Sequence, residues 1–358
     1  MRRRKRVVIS FILLVFAAAV LSYLHHTRHS ALPFSGGNPF AGREIRCALN
    51  IGRFDDSTRI LVTGYNYALL KAFARDIGST ATFFPVRDRS ADLADSLRTD
   101  ALDILVLPCK KGMVIPEGTL ASRPIDSVAF WVVKETNLHG LKDINAWLKK
   151  YTGSPLHAKM SRTYIQALYD PFLLVNAGRT RKELSPYDSL FKVYAPKLGW
   201  DWRMLAALSF KESHFRIDAQ SHRNAFGLMQ LGDATAAKYG LTDPLEPEDN
   251  IRTSVTYLSY LQRVFAKRLP EDASGEVTKY MLAAYNGGEG RLLDCIDFAR
   301  QLNVYDSTWA SLQHLPQAAE LAQIVTDSLD MRKYNLEQIA GYVSDVLDTY
   351  AAFRTVCP

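Results

Sequence analysis

Glu212, in the stretch SFKESHF, is the residue whose type and setting first suggest chemistry. The preceding residues place Trp202, Leu205 and Leu208 at the three-residue step of one helical face. Glu212, seven residues after Leu205, continues that face. A carboxyl on an apolar face loses hydration in its charged form, so its pKa rises and it holds a proton near neutral pH. Such a group is a general acid. The nearby carboxylates open to a second acid-base role are Asp218 and Asp233, and Asp233 stands where it would cap a short helix that stops at Gly240.

Further residues come in order along the chain. Ser213 adjoins the acid, Ser221 comes nine residues after it, and then come Gly227-Leu228-Met229-Gln230 and Ala284-Tyr285-Asn286-Gly287. Together these resemble the successive motifs of the soluble lytic transglycosylase domain, and GYVSDVLDTY, from Gly341 to Tyr350, resembles that family's last helix. The resemblance implies an all-α, lysozyme-like domain that cleaves peptidoglycan between N-acetylmuramic acid and N-acetylglucosamine without water. Glu212 would protonate the glycosidic oxygen, then take the proton of the same sugar's 6-hydroxyl as that oxygen closes a 1,6-anhydro ring. A tethered nucleophile removes the need for the second carboxylate that hydrolytic glycosidases use.

The same resemblance places Ser213 and Ser221 near the substrate, Met229 and Gln230 along the groove, Tyr285 and Asn286 beside the acid, and Tyr342 of the last helix at the groove. Each has an ordinary alternative. The serines can cap or brace a loop, Met229 and Tyr285 can pack in the core, and Asn286 before two glycines can end a helix. Asn224 stands where the family has glycine, and asparagine is the side chain that next best tolerates positive φ. Gly232-Asp233 replaces the usual Met-Pro, and Gln338 replaces an acid four residues before Tyr342.

These residues need helices to hold them. Asp201 is a good N-cap for the helix ending near Glu212, and HFRIDAQSHRN after it is polar and irregular. Ile251, Val255, Leu258, Leu261 and Phe265 mark one side of a long helix, and EVTKYMLAAYNGG ends another at Gly287 and Gly288. Beyond Leu184 no strand pattern remains. Before it, EIRCALNIG, GYNYALLKAFARDIG, ATFFPVR and DILVLPC alternate strand with helix, which predicts βαβ units and a parallel sheet.

That early stretch resembles the first lobe of family 3 periplasmic solute-binding proteins, which precede such a catalytic domain in the membrane-bound murein transglycosylase F group. The chain is too short for both lobes, and KKGMVIP stands where that family carries its amino-acid-gripping arginine. The expectation is a single lobe that binds no amino acid and docks or positions, with an envelope protein as its partner. The fold class expected is α+β multidomain: an α/β lobe over 44–135, a connecting segment over 136–184 and an all-α lysozyme-like domain over 185–358.

At 358 residues and 47% hydrophobic composition, the chain can bury two cores. Its formal charge of +7 owes five positive charges to Arg2, Arg3, Arg4, Lys5 and Arg6. The excess is one block, not a folded basic face, so no nucleic-acid partner is expected. Residues 7–24, VVISFILLVFAAAVLSYL, carry no charge and approach the ~30 Å hydrocarbon thickness. With basic residues ahead of it, this run is either a membrane anchor or a cleaved signal peptide, and both export the rest of the chain to the periplasmic face. Residues 25–43 form a linker, with His25, His26 and His29 solvated in it. No His and Cys spacing suggests a metal, and no cofactor is expected. Of the four cysteines, Cys47 and Cys109 are poorly placed to pair, whereas Cys295 and Cys357 could staple the C-terminus. Two other activities stay open: hydrolysis of the goose-type lysozyme kind, and a non-catalytic wall-binding scaffold.

Overall fold

The computed structural model describes residues 37–50, 61–84, 86, 93–110, 112–165, 170–270, 274–313, 315 and 335–358. The 1–24 leader and most of the 25–43 linker lie outside the described residues. Among the described residues no helix is long and apolar enough to cross a membrane. The structure is mixed α+β and rich in helix. It divides into two compact units, Met1–Phe54 with Tyr65–Arg162 and Asp55–Gly64 with Thr163–Pro358.

The first unit holds strands β1 (Glu44–Leu49), β2 (Thr80–Phe84), β3 (Ile104–Pro108), β4 (Thr119–Ala121) and β5 (Ala129–Lys134). Helices α1 (Val62–Asp76) and α2 (Leu93–Arg98) make the crossovers from β1 to β2 and from β2 to β3, and α3 (Leu138–Tyr151) and α4 (Pro155–Tyr164) follow β5. The sheet order is β2-β1-β3-β5-β4. β1 runs parallel to β2 and β3, but β5 is antiparallel to both β3 and β4, so the sheet is mixed and not parallel as expected. The reason is local: β5 follows β4 through a short connection without a helix, and a parallel return needs a long crossover, so β5 turns back antiparallel and pairs with β3 in that sense. Consecutive residues of β5 point to opposite faces. Val132 joins Ala48, Leu97 and Leu105 on one side, while Trp131 meets Phe73 and stacks with Trp147 of α3 at 6.1 Å on the other. Helix α3 therefore belongs to this core, and the first unit extends beyond residue 135, where the sequence had put its end.

The second unit is helical: α5 (Pro171–Asn176), α6 (Asp188–Tyr194), a 3₁₀ turn (Ala195–Leu198), α7 (Trp202–Ser213), α8 (Asp233–Tyr239), α9 (Pro247–Ala266), α10 (Ser274–Gly287), α11 (Glu289–Gln301), α12 (Trp309–Gln313) and α13 (Leu336–Val356). Among its described residues only isolated β-bridges occur. Asp201 caps α7 as expected, accepting from Arg203 N at 2.9 Å. Gly232, not Asp233, is the N-cap of α8, and Asp233 occupies its first turn. Helix α7 is central. Residues 204–209 are buried without a break, a wider apolar surface than the single stripe read from the sequence. It packs along α13, where the Phe210, Phe215 and Phe353 rings meet. All four cysteines are free, so the Cys295–Cys357 staple that the sequence left possible is not formed.

Candidate active site

Helix α7 stops abruptly, and that stop exposes the acid. His214 and Phe215 both adopt left-handed backbone, φ +52° and +63°. Each such residue costs about 1–3 kcal/mol unless its surroundings fix it. Phe215 is fixed by burial against Phe191, Phe210 and Phe353. Glu212, in the last turn, is half-buried. Burial raises its pKa from 4.5 to about 7, against the opposing effects of the Tyr342 hydrogen bond and the Lys211 charge. Among the described residues no acidic side chain is one of the groups that shift it.

Two phenols flank this carboxyl. Tyr342 of α13 donates its hydroxyl to Glu212 Oε1. Tyr285, at the end of α10, donates to Met229 O at 2.7 Å. Both phenol pKa values are pushed well above the ordinary value, by burial first and then by the Glu212 charge. Both therefore keep their protons at any physiological pH and stay donors.

The loop between α7 and α8 is built from side-chain hydrogen bonds. Ser221 Oγ accepts from Arg223 N at 3.2 Å and Ala225 N at 3.0 Å, closing a turn in which Asn224 has φ +60° as its identity predicted. Gln230 Nε2 donates to Ala219 O at 2.8 Å and Gly227 O at 2.9 Å. Gly227, φ +87°, lies so close to Asn250 that a Cβ would stand 2.4 Å from its Nδ2 and 2.6 Å from Pro244 O. Asn250 Oδ1 in turn accepts from Met229 N at 2.8 Å. Ser213 Oγ joins α7 to the loop by donating to Leu228 O at 2.7 Å, with Ser209 O also within reach at 3.1 Å.

Of the residues singled out from sequence, the structure gathers Glu212, Tyr342 and Tyr285. Ser213, Ser221 and Gln230 spend their side-chain donors or acceptors on the loop, the Met229 side chain is fully buried, and Asn286 is exposed at the end of α10. The sequence reading missed Asn250 and Ser254, the latter a hydrogen-bond partner of Tyr285. Asn250, Ser254 and Tyr257 fall at i, i+4 and i+7 on α9, a polar row beside the apolar one. That row was the available signal.

Residues 189–305 match the family described as Transglycosylase SLT domain. Similar curated proteins include the membrane-bound lytic murein transglycosylase F of Desulfosudis oleivorans, 30% identical over 191 residues, covering 52% of this chain and 41% of that protein. The protein of the same name from Serratia proteamaculans is 32% identical over 214 residues, covering 54% of this chain and 42% of its own. The chain thus spans about two-fifths of the length of these relatives. Among solved structures, the 70 kDa soluble lytic transglycosylase of Escherichia coli aligns at 23% identity with a TM-score of 0.35, over 49% of this chain and 25% of that one.

Proposed function

We propose that the second unit is a peptidoglycan lytic transglycosylase in which Glu212 is the only acid-base group. The carrying observation is a half-buried carboxyl with its pKa raised to about 7 and bonded by one tyrosine, with no acidic side chain of the described residues among the groups that shift it. As a neutral acid it gives its proton to the oxygen linking N-acetylmuramic acid to N-acetylglucosamine, and that bond breaks as positive charge develops at the anomeric carbon. The resulting carboxylate, stabilised by the Tyr342 hydroxyl, then takes the proton of the muramyl 6-hydroxyl, whose oxygen bonds to the anomeric carbon. Atoms and charge balance, Glu212 is regenerated, and no water is consumed. A hydrolytic enzyme of the two-carboxylate kind would need a second acid about 5–9 Å away, and among the described residues no acid shifts the Glu212 pKa.

Mass spectrometry of digested peptidoglycan tests this. Products ending in 1,6-anhydro-N-acetylmuramic acid are expected, and reducing ends or intact strands would overturn it. The first unit serves, in this reading, as a single solute-binding-like lobe that positions the enzyme against an envelope partner and binds no amino acid. Its β1-α1-β2-α2-β3 connection supports that, and a thermal shift on adding free amino acids would count against it. The N-terminal run is proposed as a membrane anchor, and the mature N-terminus, found by sequencing, decides between anchor and cleaved signal.

A further inference from the structure

Aromatic rings continue outward from the acid. Ring centroids step from Tyr285 to Tyr257 at 5.6 Å, from Tyr257 to Tyr239 at 5.2 Å and from Tyr239 to Tyr260 at 6.1 Å. All four tyrosines are partly exposed. At the outer end the exposed Lys238 places its Nζ 5.3 Å from the Tyr239 centroid and 5.0 Å from the Tyr260 centroid. Glu289 accepts from Tyr260 Oη at 2.8 Å, and among the described residues no carboxylate forms an ion pair with Lys238. The Tyr239 hydroxyl is buried and has no hydrogen-bond partner among the described residues.

A lysine that only solvates a surface does not need two ring faces beneath it. Held over π faces, its ammonium is restricted in position yet keeps all three donors for an incoming acceptor, so less order is lost when it binds one. The flat, partly exposed tyrosines suit the apolar faces of sugar rings laid along them. We propose that Lys238, with Tyr239, Tyr257 and Tyr260, forms an outer subsite that selects glycan strands bearing carboxylates. Sugars leading away from Glu212 lie along the tyrosines, and the Lys238 ammonium takes the carboxylate of the substituent on an N-acetylmuramyl residue. This rests on the reading of Glu212 as an acid acting on peptidoglycan and adds the feature of the substrate that is recognised.

The test uses the full chain with Glu212→Gln, so that ligand is bound and not consumed. Dissociation constants are measured for a neutral N-acetylglucosamine oligomer and for an alternating N-acetylglucosamine/N-acetylmuramic acid oligomer of equal length. The acidic oligomer is expected to bind more tightly. Lys238→Met keeps the unbranched stem over the rings and removes the charge, and should cut that preference by about 2–5-fold, the range of a solvent-exposed ion pair. Lys238→Arg should retain it, and added salt should erode it. An unchanged preference in Lys238→Met overturns the subsite. Failure of the underlying reading shows separately, as absence of anhydro-ended products from peptidoglycan treated with the protein carrying Glu212.

Discussion

In the proposed reaction Glu212 gives a proton and takes one back within a single turnover, which sets its requirements. A carboxyl near its ordinary pKa would be almost wholly ionised at neutrality, whereas one raised to about 7 is poised between its two forms. Replacing it with Gln keeps the shape and removes the transferable proton, so turnover should fall by roughly 10²–10⁴ or more. Near-normal turnover in a peptidoglycan-solubilisation assay would refute the role. Tyr342 donates to the carboxylate and so holds the pKa down. Tyr342→Phe should therefore move the alkaline limb of the kcat/KM profile to higher pH, and a limb that stays put would mean that the bond sets nothing. The same shift links to stability. The folded state binds this proton more tightly than the unfolded one, so stability is lost as pH rises from the unfolded value near 4.5 through about 7. Glu212→Gln should gain on the order of 3 kcal/mol over the parent in urea melts at pH 8 and nothing at pH 3.5. Equal stability at both pH values would show a well-solvated acid. The candidate acid stood out in the sequence because a charged residue on an apolar helical face is anomalous in one dimension. Its partner Tyr342 was legible only as a groove candidate, since a bond across 130 residues of sequence leaves no local pattern.

At the scale of elements, the helices could be read from their periodicity, and the loop that supports the site only in part. Glycine at 227 and asparagine at 224 announce turns, but the reason Gly227 tolerates nothing larger is Asn250 on a different helix. Gly227→Ala must both strain a residue at φ +87° and push Asn250 away from Met229. A loss of at least about 2 kcal/mol is expected in a urea melt, together with reduced activity. If the variant is as stable as the parent, the close approach is not what fixes the loop. The sheet shows the opposite failure. β1, β2 and β3 were evident from their β-branched and aromatic runs, whereas β4 and β5 were not read as strands, and it is the helix-free connection from β4 to β5 that turns the chain antiparallel.

At the scale of the whole molecule, the boundary between units is not a point in the sequence. Of the described residues, 61–64 group with the second unit although they precede most of the first. Within that unit Leu61 N bonds Tyr164 O at 2.9 Å. A linear reading of composition assigns each stretch to one neighbour and cannot see such interleaving, which is why the expected edges at 135 and 184 do not coincide with the compact units. Gly64 is the sharpest probe of it. A Cβ there would stand 2.8 Å from Tyr187 Oη and 3.0 Å from the Tyr164 ring, and Tyr187 is itself buried. Gly64→Ala should thus destabilise the second unit by about 1–3 kcal/mol, the usual cost of overpacking. The readout is hydrogen-exchange protection of amides in α6 and α7. Because the atom met first is a hydroxyl oxygen, adding Tyr187→Phe to Gly64→Ala should restore part of the loss by giving the methyl room. Unaltered protection in Gly64→Ala would mean that residues 61–64 do not belong to the second unit's core.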